Sequence, residues 1–391
     1  AHIHAKNAPA SVTGCYRIPS AAVRVVQRFS NTVPTGPYRG AGRPDVACAV
    51  ERAVDEAARA LGVDRVALRR RNMLAAGDFP WATPLGAVYD SGDYGRLLER
   101  ALAAADWDGF PARRGAAGRR GRLRGIGLGL FTEVAGGGAS PRDEARVTLA
   151  VDGERLVCRA TVTGHSTGQG SARVFSRIAA TAIGCRAEDV SVEASDGSEG
   201  LVGSGAFGSR AAVAMGWALE DTGERANAAL REQAAAQFGG SPDDYAIREG
   251  AVLREGARVA GLVDVVATAT QGTATMSFRG GSPSSNAFPS GCHVAEVEID
   301  PETGTVAVVA YAAVDDCGRV LDETLAHAQV HGALAQGFGE ALSERVVFSP
   351  EGQLVTATFL DYAMPRADHA PRPALAFAGT PSDRKSTRLN S

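Results

Sequence analysis

The sequence predicts an α+β protein of mixed sheets with hairpins and packed helices. Three observations support this. Strand-like stretches bracket strong turn signals at Asp152-Gly153 and at Pro301-Glu302-Thr303-Gly304, as hairpins require. Other stretches carry apolar residues at helical spacing. The two kinds are mixed without the regular βαβ alternation of a doubly wound sheet. At 391 residues the chain is long enough for two or three domains of about 150 residues each. Its 45% hydrophobic and 22% charged residues are ordinary for a globular protein.

In chain order, Val46, Val50, Val54, Ala57, Ala58 and Leu61 share one helical face and predict a helix over residues 44–61, closed by Gly62. Asp64 caps a short second helix reaching Arg71, and Leu97, Leu98, Leu102 and Ala105 place a third over residues 91–105. Residues 111–124 are rich in Arg and Gly with almost no large apolar side chain, the composition of an exposed linker. Beyond it, strands at 145–151 and 156–163 flank Asp152-Gly153, a helix spans 171–183 and ends at Gly184, and a strand covers 190–194. A long helix is expected over 211–238, a second hairpin over 294–299 and 305–313, and a glycine-punctuated helix over 323–342. No internal repeat of fixed period is visible.

Composition excludes several classes. A formal net charge of −3 gives no reason to expect a nucleic acid or an anionic membrane as partner. No apolar run approaches the roughly 20 residues of a membrane span, and residues 1–7 lack the charged and apolar regions of a signal peptide. The cytoplasm is the expected compartment, with a periplasmic address left open. The six cysteines stand singly, which argues against zinc-ribbon and iron–sulfur sites and for small buried residues in a reducing compartment. Lysine occurs only at Lys6 and Lys385, so the stretch Asp383-Arg384-Lys385-Ser386-Thr387-Arg388-Leu389-Asn390-Ser391 looks foreign to the rest. The missing initiator methionine places the expected true start upstream.

Four glycine-rich segments invite a ligand. Gly125-Ile126-Gly127-Leu128-Gly129 does not match a dinucleotide loop and reads as a strand packed closely against another backbone. Thr167-Gly168-Gln169-Gly170-Ser171 joins a strand to a helix, so its free N–H groups sit at a helix N-terminus, and the glutamine adds one donor and one acceptor. Gly203-Ser204-Gly205-Ala206-Phe207-Gly208-Ser209-Arg210 repeats the device with a hydroxyl and a guanidinium. Pro37-Tyr38-Arg39-Gly40-Ala41-Gly42-Arg43-Pro44 is a third loop-to-helix junction, with a proline at the first helical position. Three such junctions favour one shared anionic ligand over three unrelated turns. His327 and His331 stand one helical turn apart but lack a third ligand, His2 and His4 are expected in a frayed terminus, and His165, His293 and His369 are isolated.

In order along the chain, these segments resemble the molybdopterin-binding subunit of the xanthine dehydrogenase, aldehyde oxidase and carbon monoxide dehydrogenase family. The resemblance rests on Gly14-Cys15-Tyr16-Arg17-Ile18-Pro19, residues 32–44, Arg70-Arg71-Asn72-Met73, Gly168-Gln169-Gly170, residues 205–210 and 294–304, and Val314-Asp315-Asp316-Cys317-Gly318-Arg319. It continues with residues 329–339 and Asp361-Tyr362-Ala363-Met364-Pro365-Arg366. It implies hydroxylation of an sp² carbon of an aldehyde or N-heterocycle with water-derived oxygen. The implied cofactor is molybdenum-molybdopterin, in a form that can carry a cytosine dinucleotide. Iron–sulfur and FAD units are implied as partner subunits or domains of the same complex. Carried over by motif, Arg39, Gly40, Gly168, Gln169, Gly170, Phe207, Gly208, Ser209 and Gln336 are implied to bind the cofactor, and Ala41 to line the substrate pocket. No residue is implied as a direct metal ligand. Gly40 stands where carbon-monoxide-oxidising members carry cysteine, which counts against that substrate. The family's catalytic glutamate belongs to a motif beyond Arg366, so the chain reads as an inactive fragment. It would comprise the C-terminal part of one cofactor-binding domain at 1–110, a linker at 111–124, an incomplete second domain at 125–382 and a non-native tail at 383–391. A pterin-binding module without catalysis is the alternative.

Overall fold

Apolar residues at helical spacing, closed by glycine or capped by aspartate, produce most of the helices. In chain order they are α1 (His2–Ala10), α2 (Arg43–Leu61), α3 (Arg65–Asn72), α4 (Tyr94–Ala104), α5 (Phe110–Arg119), α6 (Ser171–Ile183), α7 (Trp217–Phe238), α8 (Leu262–Thr270) and α9 (Glu323–Leu342). This computed structural model describes residues 2–137, 140–271, 274–283, 286–369 and 371–380; the expected foreign tail at 383–391 lies outside them. The chain divides into two compact units, one formed by residues 2–133 with 288–380 and the other by 134–287.

In the first unit a four-stranded sheet runs in the order Ala374–Phe377, Val306–Asp316, Ser290–Ile299, Leu123–Thr132. The expected hairpin at 301–304 joins its two central strands, and the Ala374–Phe377 strand adds in parallel. Helix α4 buries Tyr94, Leu97, Leu98, Ala101 and Leu102 against those central strands. It starts at Tyr94 rather than Ser91, because the Asp93 carboxylate accepts the Arg96 N–H at 3.0 Å and caps the helix there. Helices α2 and α3 are tied by one buried carboxylate. Glu51 accepts from Tyr16 Oη at 2.5 Å, from Arg69 Nε at 3.0 Å and from the Leu130 N–H at 3.1 Å.

The stretch expected to be an exposed linker is a correction. Residues 110–119 form α5, and the chain then enters the Leu123–Thr132 strand. Four of the arginines in this stretch are paired with acids rather than left to water alone. Arg113 Nε lies 3.1 Å from both oxygens of Glu296, and Arg124 Nε lies 2.6 Å from Glu296 Oε1. Arg120 reaches Glu298 at 2.9 Å, and Arg122 pairs with Asp300. Glu296, Glu298 and Asp300 recur at every second position of the 290–299 strand and its end, so their side chains share one face that the arginines cover. Such a ladder is invisible to local composition because its acids lie more than 170 residues away.

In the second unit the sheet order is Met276–Pro283, Arg142–Asp152, Arg155–Val162, Val190–Ala194, with the Asp152-Gly153 hairpin at its centre. Helices α6 and α7 pack together, and Gly223 allows the crossing because a β-carbon there would overlap the Ala182 methyl. The expected helix over 211–238 opens with one wide π turn at Ala211–Gly216 before α7 proper. A small antiparallel sheet of Tyr245–Arg248, Ala251–Arg254 and Ala257–Gly261 completes the unit beside α8.

Three smaller expectations also change. The Gly125–Gly129 stretch is a strand, but no backbone crowds it: the nearest atoms to hypothetical β-carbons are Val297 Cγ2 at 3.7 Å and Glu51 Cγ at 3.9 Å. The first residues form α1, and His4 packs its backbone against Gly42 instead of fraying. Cys15, Cys158, Cys185 and Cys292 are buried as expected, whereas Cys48 is exposed on α2 and Cys317 is half-buried.

Candidate functional site

The first unit builds one polar corner where the 37–44 loop meets α9. Gly40 and Ala41 both adopt the left-handed region, with φ of 88° and 47°. At Gly40 a side chain would also overlap the Pro44 ring that starts α2. The loop is pinned at its carbonyls. Arg43 Nε donates to Gly40 O at 2.8 Å while its Nη2 pairs with Glu133 at 3.2 Å, and Asn7 Nδ2 donates to Ala41 O at 3.3 Å. Arg39 then extends along α9. Its Nη2 donates to the Gln329 carbonyl at 3.0 Å and to Gln329 Oε1 at 3.2 Å, and its Nη1 reaches Gln336 Oε1 at 3.4 Å. Arg39, Gly40, Ala41 and Gln336 are therefore neighbours. Gln329, Arg43, Glu133 and Asn7 were missed by sequence reasoning. Gln329 had a usable signal, since seven residues, two helical turns, separate it from Gln336 on one face.

The second unit builds the other corner from two adjoining loops. Gly168 and Gly170 have φ of 93° and 77°, and Gly170 is the N-cap of α6. The Gln169 side chain folds back, its Oε1 accepting from the Thr167 N–H and, at 3.0 Å, from Thr167 Oγ1. The loop leading to Phe207–Ser209 begins beside the end of the preceding strand: hypothetical β-carbons at Gly164 and Gly203 would meet Ala206 and Thr163 respectively. Gly208 and Ser209 turn with φ of 59° and 55°, and Phe207 stays 57% exposed.

Arg210 corrects an expectation. It does not offer its guanidinium to a phosphate, because it is fully buried and paired with Asp143, both side chains being 0% exposed. Arg210 Nη1 meets Asp143 Oδ1 at 3.0 Å and Gly205 O at 2.7 Å, and Nε meets Gly137 O at 2.6 Å. Asp143 also accepts from the Ser204 N–H at 3.2 Å and from Thr163 Oγ1 at 3.3 Å. The pair thus anchors the glycine loop from beneath. Next to it, burial opposes ionisation of Glu144, yet the hydrogen bonds from Arg279 and the Val202 N–H hold its carboxyl below the usual range.

Among the described residues no group of three or more His, Cys, Asp or Glu is arranged to hold a metal ion. The His327 ring packs edge-on against Phe377 at 5.1 Å, and His331 is exposed. His293 is not isolated: it bridges Tyr311 Oη and Asp315 Oδ1, each at 3.0 Å. No helix among the described residues is long and apolar enough to cross a membrane.

The donor chemistry fits an acceptor-rich ligand. A guanidinium or a backbone N–H can only donate, so the oxygen of each glutamine must face it and the –NH₂ must face outward. Gln169 and Gln336 therefore each present donors, Gln169 next to the open backbone at Gly168, where a β-carbon would meet nothing within 4 Å.

Comparison with known proteins gives consistent matches. Residues 100–371 and 1–73 each match a molybdopterin cofactor-binding domain. The nicotine 6-hydroxylase large subunit of Paenarthrobacter nicotinovorans is 31% identical over 95% of this chain and 47% of its own length. The carbon monoxide dehydrogenase large chain of Hydrogenophaga pseudoflava is 29% identical over 95% of this chain and 48% of its own. The chain thus spans about half the length of these relatives. The crystal structure of quinoline 2-oxidoreductase from Pseudomonas putida 86 superposes with a TM-score of 0.86 at 29% identity, covering 97% of this chain and 50% of that one.

Proposed function

Because the chain belongs to the molybdopterin cofactor-binding domain family, we propose that it holds the cofactor of a molybdenum hydroxylase that oxidises an aldehyde or an N-heterocyclic aromatic. The observation that carries this is the donor-only presentation at Arg39 and Gln336, and separately at Gln169, from residues the family resemblance singled out. Arg39, Gly40, Gly168, Gln169, Gly170, Phe207, Gly208, Ser209 and Gln336 would bind the group, and Ala41 would line the substrate pocket. When bound, the group supplies the two-electron redox chemistry of carbon hydroxylation with water as the oxygen source. The chain's own residues bind and orient: fixed donors and a fixed cation lower the energy of negative charge facing them without reorganisation. The small side chain of Ala41 leaves room for a flat ring, and likeness to nicotine- and quinoline-oxidising proteins supports an N-heterocycle.

Further parts of the proposal are a cytosine dinucleotide form of the cofactor, iron–sulfur and FAD subunits as electron acceptors, a cytoplasmic location, and family domains divided near the 111–124 stretch. Relatives named as large subunits or chains of multi-part enzymes support the partner reading. The test is expression in a host that makes molybdopterin, followed by molybdenum analysis and fluorescence of released pterin. Both should co-purify with the chain and fall in Arg39→Ala and Gln169→Ala. Folded protein free of both would overturn the reading.

A further inference from the structure

Arg39 carries five N–H donors. Both hydrogens of Nη2 are engaged by Gln329, one on its carbonyl at 3.0 Å and one on its Oε1 at 3.2 Å. One hydrogen of Nη1 is directed to Gln336 Oε1 at 3.4 Å. Two donors are left, the Nε–H and the second Nη1–H, and they sit on different nitrogens. A guanidinium free of such contacts grips carboxylates and phosphates with two parallel bonds from one edge. Here Nη2 is saturated, so that grip is unavailable through it. The same contacts decide the neighbour: with its oxygen drawn to Arg39, Gln336 turns its –NH₂ outward.

We propose that Gln329 is a positioning residue that clamps Arg39, so that this corner meets its ligand with single, separately aimed donors and with no acceptor. The ligand class that fits is one presenting lone acceptor atoms, such as individual oxygens of a cofactor or of a bound oxyanion, rather than a carboxylate taken edge-on. This deepens the reading under Proposed function and rests on it. The clamp is made by side chains 290 residues apart in sequence, so it is not a by-product of local helix geometry. Gly332 lies under the clamped guanidinium: a β-carbon there would sit 3.5 Å from Arg39 Nη1, in ordinary contact, which places the guanidinium along α9.

The test is a double-mutant cycle in the whole chain, with Gln329→Leu, Arg39→Lys and the pair, and Gln329→Glu as the conservative variant. The first readout is the urea unfolding equilibrium without cofactor, which needs no activity. One hydrogen bond between exposed side chains predicts a coupling of about two- to tenfold between the two positions, retained in Gln329→Glu and lost in Gln329→Leu. The second readout is molybdenum and pterin content per chain after expression in a host that makes the cofactor. Gln329→Leu should lower it roughly two- to tenfold, Gln329→Glu should restore it, and Gln329→Leu should have no further effect once Arg39 is Lys. Additive effects of the two substitutions on unfolding would overturn the clamp itself. Coupling in the unfolding cycle together with cofactor content that ignores Arg39→Lys would instead sink the cofactor reading of this corner, and the positioning role with it.

Discussion

The Asp143–Arg210 pair gives the sharpest prediction. Asp143→Asn keeps an acceptor oxygen near Ser204 N but removes the charge that balances a guanidinium with no exposed surface. Leaving one member of such a buried pair uncompensated costs roughly 3–5 kcal/mol. For a unit of this size each kcal/mol lowers the midpoint by about 2–4 °C, so a drop of roughly 6–20 °C is expected. The assay is thermal unfolding followed by Trp217, the one of the three tryptophans that lies in residues 134–287, in a Trp81→Phe, Trp107→Phe background. Replacing the pair together, as Asp143→Leu with Arg210→Met, should recover only part of the loss. The carbonyls of Gly137 and Gly205 and the N–H of Ser204 would then lack their present partners. A midpoint shift below about 2 °C for Asp143→Asn would refute the view that this pair anchors the loop.

Glu296→Ala should destabilise the first unit by roughly 3 kcal/mol, the low end of the buried-pair range, because Arg113 and Arg124 keep some solvent; urea unfolding of the purified chain measures it, and a neutral result would show the arginine ladder to be ornamental. Gly40→Ala should cost roughly 1–3 kcal/mol through its left-handed φ and its overlap with Pro44, and should lower cofactor content; unchanged unfolding and pterin content would contradict the loop geometry. Burial pushes the Cys292 thiol up to about 12 and the Cys317 thiol up to about 11. A raised thiol stays protonated, and so unreactive, until the pH approaches that value, so at about pH 8 iodoacetamide should modify exposed Cys48 first and Cys292 only after denaturation. Mass spectrometry showing early modification of Cys292 would contradict that burial.

What the sequence reveals depends on the range of the cause. Helices α6 and α9, the Asp152-Gly153 hairpin and the Gly62 and Gly184 stops were legible, because caps and turns act within a few residues. The 111–124 stretch was misread because the acids that neutralise its arginines lie on a strand formed far later in the chain. Arg210 was misread for the same reason: Asp143 precedes it by 67 residues and carries no local mark of its role. At the candidate site the residue types and their order were legible, but which atom of each glutamine faces a ligand required the partners' positions.

The first unit is assembled from both ends of the sequence around an intact central segment, and Arg39 meets Gln336 across 297 positions. On the ribosome, the 134–287 segment can collapse as soon as it emerges, whereas the Arg39 corner has no second half until α9 has been made. Closing so long a loop is slow, and its entropic cost falls due before any contact rewards it. A prosthetic group that needs this corner therefore has nothing to grip there until α9 has been made, and its loading reports on the assembly of the first unit.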